Sequence, residues 1–151
     1  MLPLRALIWL GVFGYPATHV DHRFKDGDAI RVGSIAITAH VTAGHTRGCT
    51  SFTFAVRDGD RPLNVVCACS VGVLATSTYP EQTADRERSL RVLRSLPVDI
   101  WVTNHARQWG RYRKFVASGT ATNKADPFID PDGYRAFLDA EEAELRSGRT
   151  H

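Results

Sequence analysis

Two of the six histidines in this 151-residue chain, His45 and His105, each follow directly on a strand-like run. His45 lies in Thr38-Ala39-His40-Val41-Thr42-Ala43-Gly44-His45-Thr46-Arg47-Gly48-Cys49-Thr50, where an alternation of Ile35, Ile37, Ala39 and Val41 with Ser34, Ala36, Thr38 and His40 stops at a glycine. Glycines on both sides let the backbone bend sharply without a Cβ penalty, so the imidazole is aimed off the end of a sheet. His105 stands behind Val98-Asp99-Ile100-Trp101-Val102-Thr103 and Asn104 in the same relation to its strand. Ligands of open α/β sheets bind outside the carboxyl ends of strands, where loops are free to carry function. Two imidazoles converging there are part of a zinc site, but a catalytic zinc takes three protein ligands and a water. The local pattern alone fits equally a glycine-rich turn with a solvated histidine.

The elements that must position these residues are legible in outline. Asp26-Gly27-Asp28 is a turn, Ala29 to Val32 a short strand, Gly33 a second turn, and Ser34 to Val41 the strand leading to His45. Thr50 to Val56 alternates with Phe52, Phe54 and Val56 on one face, and Asp58-Gly59 marks a hairpin loop before a return strand from Pro62 to Ser70. The near-continuous apolar run Val65-Val66-Cys67-Ala68-Cys69 predicts burial on both faces. Thr78-Tyr79-Pro80-Glu81 has the form of a capping box, opening an amphipathic helix with Leu90, Leu93 and Leu96 that ends at Pro97. Trp109 to Ala117 is a further helical segment, and Asp130-Pro131 caps a last helix with an apolar stripe of Tyr134, Phe137, Leu138 and Leu145. The fold class is α/β: a mixed sheet with helices packed against it.

The length suits one domain able to build its own core. A hydrophobic content of 43% with 23% charged residues and a net charge of +3 is ordinary for a globular protein and does not call for nucleic acid. Basic residues are scattered except at Arg107, Arg111, Arg113 and Lys114. Arg111, Tyr112, Arg113 and Lys114 read as a solvated helix face, with attraction of an anionic substrate the lesser reading. Cys49, Cys67 and Cys69 make an odd count without disulfide-scaffold spacing, so buried free thiols are expected. Residues 1–14 are an apolar segment too short to span a membrane, read as a buried strand or a truncation point in preference to a signal peptide, since Arg5 is its sole charge. Residues 15–147 then form the domain and 148–151 a tail.

The segment Ala43 to Thr50, preceded by Lys25-Asp26-Gly27-Asp28 and Thr38-Ala39-His40, resembles the second half of a subclass B3 metallo-β-lactamase. The resemblance continues through Cys69-Ser70-Val71 and Asn104-His105 to Asn123 and Pro127-Phe128-Ile129-Asp130-Pro131-Asp132-Gly133-Tyr134-Arg135. It covers Tyr15 to Leu145, the C-terminal half of the family fold. Gly44-His45-Thr46 alone is common to the whole superfamily, and the longer run brings the resemblance to the subclass. It implies half of an αββα sandwich and a hydrolase that opens the β-lactam amide with a zinc-bound hydroxide, two zinc ions per complete site and no protein nucleophile. By motif His45 takes the place of the third histidine ligand on the first zinc and His105 that of the C-terminal histidine ligand on the second. Ser70 falls where such enzymes hold the substrate carboxylate. The implied partner is a small-molecule β-lactam, without nucleic acid or membrane, in the periplasm, and the implied consequence is antibiotic resistance.

The sequence departs from the family in one large respect. The His-x-His-x-Asp-His motif that supplies the other four ligands belongs to the N-terminal half. Ala17-Thr18-His19-Val20-Asp21-His22 copies it partially, lacking the first histidine, but lies too close before Gly44-His45-Thr46 and reads as solvated surface. Glyoxalase- and lactonase-like relatives carry an aspartate after the buried strand where this chain has Cys69-Ser70, which favours the lactamase side; Cys69 as a metal ligand is a minor reading. The expectation is a truncated zinc hydrolase, weakly active or inactive as this chain alone. The alternative is a non-catalytic remnant or partner-dependent half-domain. Half a sandwich leaves a sheet face uncovered, which invites self-association.

Overall fold

The alternating segments form strands close to where the pattern places them. The computed structural model describes residues 19–73 and 78–148, so the apolar segment 1–14 and residues 149–151 of the tail lie outside the described residues. Five strands, β1 Ala29–Val32, β2 Ile35–Val41, β3 Thr50–Asp58, β4 Arg61–Ala68 and β5 Ile100–Thr103, make one sheet in the order β1-β2-β3-β4-β5. The first four are antiparallel neighbours, and β5 pairs parallel to β4. The β3–β4 register closes at Asp58 opposite Arg61, with Gly59 in the turn at φ +60°. Between β4 and β5 the chain crosses over through helix α1, Gln82–Ser95; α2, Arg111–Thr120, a 3-10 turn at Asp126–Phe128 and α3, Pro131–Ser147, follow. No described helix is long and apolar enough to cross a membrane.

The two faces of the sheet differ in chemistry. Alternation along the strands puts Val66 of β4 and its register partner Trp101 of β5 on one side. They join Ala68, Val71, Leu90, Leu93, Tyr134 and Leu138 in one buried cluster, so α1 and α3 cover this side. Each such leucine contributes about 1.5–3 kcal/mol through removal from water. The Tyr134 hydroxyl donates to the Leu93 carbonyl at 3.0 Å, and burial pushes its phenol above the ordinary value. The opposite face carries apolar rows set by register: Phe54, Val65 and Ile100 in one, Ala39, Phe52, Cys67 and Val102 in the next. The ring of Phe24 lies edge-on to Phe52 with centroids 5.9 Å apart.

Helix boundaries show where local signals hold and where packing overrides them. Asp130 caps α3 as its sequence implies, its carboxylate accepting from the Gly133 N–H at 2.9 Å. The box expected at Thr78–Glu81 does not form: Glu81 is the residue before α1, and its side chain makes no capping bond. The entry is closed instead by the Gln82 N–H donating to the Tyr79 carbonyl at 3.2 Å.

Two expectations are corrected. Cys49 and Cys69 are not free thiols but form a disulfide, with Cα atoms 5.9 Å apart. Thr42 N–H to the Cys49 carbonyl, 2.9 Å, closes the intervening loop and folds Cys49 back against the end of β4, a juxtaposition that sequence spacing cannot reveal. Cys67 is the free thiol among the described residues, and burial pushes its pKa up. Nor is the basic run at 111–114 wholly solvated. Lys114 is 5% exposed, with its ammonium 2.7 Å from Asp130 Oδ2 and 5.3 Å from the centroid of the Trp101 ring. Burial raises the Asp130 carboxyl, but the Lys114 and Gly133 hydrogen bonds outweigh it and hold the pKa below the ordinary carboxylate value.

Candidate metal centre

Strand direction decides which loops meet. Since β2, β4 and β5 run the same way, the loops after Val41, Ala68 and Thr103 emerge at one edge of the sheet. His45, Ser70 and His105 follow these three strands, so topology brings all three candidate residues to that edge.

A chain of buried hydroxyls ties the strand ends beneath them. Thr42 and Ser51 are fully buried, with hydroxyl oxygens 2.7 Å apart, and Ser51 Oγ accepts the Cys69 N–H at 2.9 Å. Above this floor His45 is half-buried, with Nδ1 2.6 Å from the Gly72 carbonyl oxygen. A carbonyl oxygen only accepts, so Nδ1 carries the proton and the lone pair of the neutral ring sits on Nε2. Metal-binding histidines are oriented in this way: one nitrogen held on a carbonyl, the other presented to the ion.

The loop is shaped by polar side chains that the sequence pattern does not single out. On α1, Gln82, Arg86 and Ser89 are spaced to share one face, and all three are buried. Gln82 Nε2 donates to the Gly44 carbonyl at 2.7 Å, and Ser89 Oγ to that of Ala43 at 2.6 Å. Arg86 Nε donates to the Val71 carbonyl at 2.7 Å. One helix face therefore satisfies the carbonyls of both loops that carry His45 and Ser70. Gly44 has φ +147°, and a Cβ there would lie 2.6 Å from Arg86 Cγ, so conformation and space both require glycine. The signal available in the sequence was a polar i, i+4, i+7 set beside the Leu90 and Leu93 stripe. On the outer side, Arg47 reaches Glu81 at 2.8 Å and lies over the Tyr79 ring.

The other candidates are placed differently. Ser70 is 5% exposed, so a substrate could touch its hydroxyl only after its loop opened. His105 is exposed, its N–H bonded to Thr103 Oγ1 at 3.2 Å. His19 and His22 are exposed, in keeping with a solvated segment, and His40 is bonded through Nε2 to Thr53 Oγ1 at 2.8 Å. Cys69 is committed to the disulfide. Among the described residues there is no group of three or more histidine, cysteine, aspartate or glutamate side chains arranged to hold a metal ion. His45 has one ring nitrogen held on a backbone carbonyl, and the described residues do not fit a complete zinc centre.

No protein-family model matches the chain. Solved structures do. The chain is similar to the Rm3 metallo-β-lactamase, with 32% identity and a TM-score of 0.80 over 88% of this chain and 52% of that one. Against the native FEZ-1 metallo-β-lactamase from Legionella gormanii the values are 30% and 0.79, over 89% and 53%. Against the class B3 di-zinc metallo-β-lactamase LRA-12 from an Alaskan soil metagenome they are 27% and 0.77, over 88% and 52%. The mixed sheet and its helices are the metallo-β-lactamase fold at about half its length. Within that fold the chain's likeness is to subclass B3 enzymes, as the sequence resemblance implied.

Proposed function

We propose that this chain is the C-terminal half of a zinc-dependent β-lactam hydrolase, supplying His45 and His105 as metal ligands and Ser70 as a substrate-carboxylate contact. The observation that carries the proposal is the held ring of His45, a buried-side hydrogen bond fixing one nitrogen in a loop that two strand ends and one helix face shape. As this chain alone it is a weak or inactive hydrolase, because two histidines do not retain a catalytic zinc. The remaining ligands, of the kind found in His-x-His-x-Asp-His, come from the other half of the sandwich. The second reading, a non-catalytic remnant that folds or acts only with a partner, is favoured by the same shortage of ligands. In this reading that half, or a second copy of this chain, packs on the half-buried Phe52 and Phe54. The Cys49–Cys69 disulfide supports an oxidising compartment, in line with the periplasm expected from the resemblance.

Complementation separates the two readings. Adding a separately produced N-terminal half that carries His-x-His-x-Asp-His is expected to restore zinc binding and nitrocefin turnover, and His45→Ala in the reconstituted protein to abolish both. Restored turnover that survives His45→Ala contradicts the ligand assignment; a stable complex with neither zinc nor turnover supports the remnant.

A further inference from the structure

The basic cluster that the strand-end site does not use borders a cleft of about 880 Å³ at the start of α2, lined by Trp101 and by Asp130, the ion-pair partner of Lys114. That volume lies within the usual range for small-molecule sites, and the walls include Trp109, Tyr112 and Phe115. Tyr112 and Phe115 are 82% and 70% exposed, so aromatic surface is presented to the cleft rather than consumed by the core. Arg107, Arg111 and Arg113 line the same cleft, and none of them is ion-paired among the described residues. The neighbouring carboxylate, Asp130, is already committed to Lys114 and to the Gly133 N–H.

Helix electrostatics reinforce this imbalance. Helix α2 opens at Gly110 with no side-chain cap and no acidic residue in its first turn, where Arg111 and Arg113 stand instead. Cations at the positive end of a helix dipole are unfavourable, and an anion placed there relieves both the dipole and the guanidinium repulsion. Arginine also offers planar, bidentate donors to a carboxylate and stacks on flat rings. We propose that this cleft is a binding site for a small anionic ligand with a flat apolar body, an aromatic carboxylate or sulfonate. The ring would lie against Trp109 and Phe115 and the anion would meet Arg111 and Arg113. The proposal is independent of the metal reading, since none of these residues is assigned to the metal.

The test is a backbone-amide NMR titration of the full chain, with chelator present, using 2-naphthoate and its neutral counterpart 2-naphthamide. Naphthoate is expected to shift the Gly110–Arg113 amides and the Trp109 indole, to bind about tenfold more tightly than the amide, and to weaken with added salt. Arg107→Gln, Arg111→Gln and Arg113→Gln combined should bring naphthoate to the affinity of the amide while leaving the amide's own binding unchanged. Equal affinity of the two probes, unaltered naphthoate binding in the triple variant, or no binding of either probe overturns the proposal. So do shifts at these residues that follow protein concentration alone, which would assign the cleft to a second copy. The acid–amide comparison on the unmodified chain needs no variant to fold.

Discussion

The two strand-end histidines stand in opposite mechanical settings. His45 is half-buried, held through Nδ1 to Gly72, in a loop bounded by the Cys49–Cys69 disulfide and backed by Gln82, Arg86 and Ser89. His105 is exposed on a ledge that leads into α2, its backbone anchored to Thr103 and Gln108. One corner has its ordering entropy already covered by packing within this chain; the other does not. The difference is one of anchoring: the His45 ring is held by this chain's own packing, and the His105 side chain is not.

The comparison can be broken by substitution. The largest effect is expected behind the His105 corner rather than at its histidine: Asp130→Ala removes the partner of buried Lys114 and the α3 cap together, costing about 3–5 kcal/mol in chemical denaturation. Asp130 also sets an acid dependence. Its folded pKa is depressed, so its contribution is complete above the unfolded value of about 3.9 and is lost as pH falls through the folded one. Denaturation at pH 6 and pH 3 should show a loss that Asp130→Asn lacks. At the His45 corner, Cys49→Ser with Cys69→Ser should cost about 3 kcal/mol by the same measurement. Gly44→Ala, forced into φ +147° and against Arg86, should cost about 2–3 kcal/mol and raise amide exchange in both loops. The smallest effects complete the contrast: His45→Ala loses about 1 kcal/mol with its bond to Gly72, whereas His105→Ala stays within about 0.5 kcal/mol. Equal losses at the two histidines would remove the asymmetry.

Much of this frame was legible in the sequence because strand alternation, the Asp58-Gly59 hairpin and the Asp130-Pro131 cap are local signals. Their edges moved by a few residues: β5 begins at Ile100, not Val98, and α2 at Arg111, not Trp109. The edge position of His45 and His105 was also legible, since each follows a strand-like run, whereas Ser70 entered through the family resemblance alone. What was not legible depends on long-range burial of polar groups. Gln82, Arg86, Ser89 and Lys114 are types that sequence reasoning sends to solvent, and they are buried because each meets a backbone carbonyl or a carboxylate from a distant segment. The Cys49–Cys69 bridge escaped for the same reason, its partners meeting only after the His45 loop closes.

Equilibrium dialysis of the purified chain against zinc checks the proposed ligand role of His45. No tightly retained zinc is expected, and His45→Ala is expected to reduce the little that binds weakly. Retention near two zinc ions per chain, unaffected by His45→Ala, would contradict it.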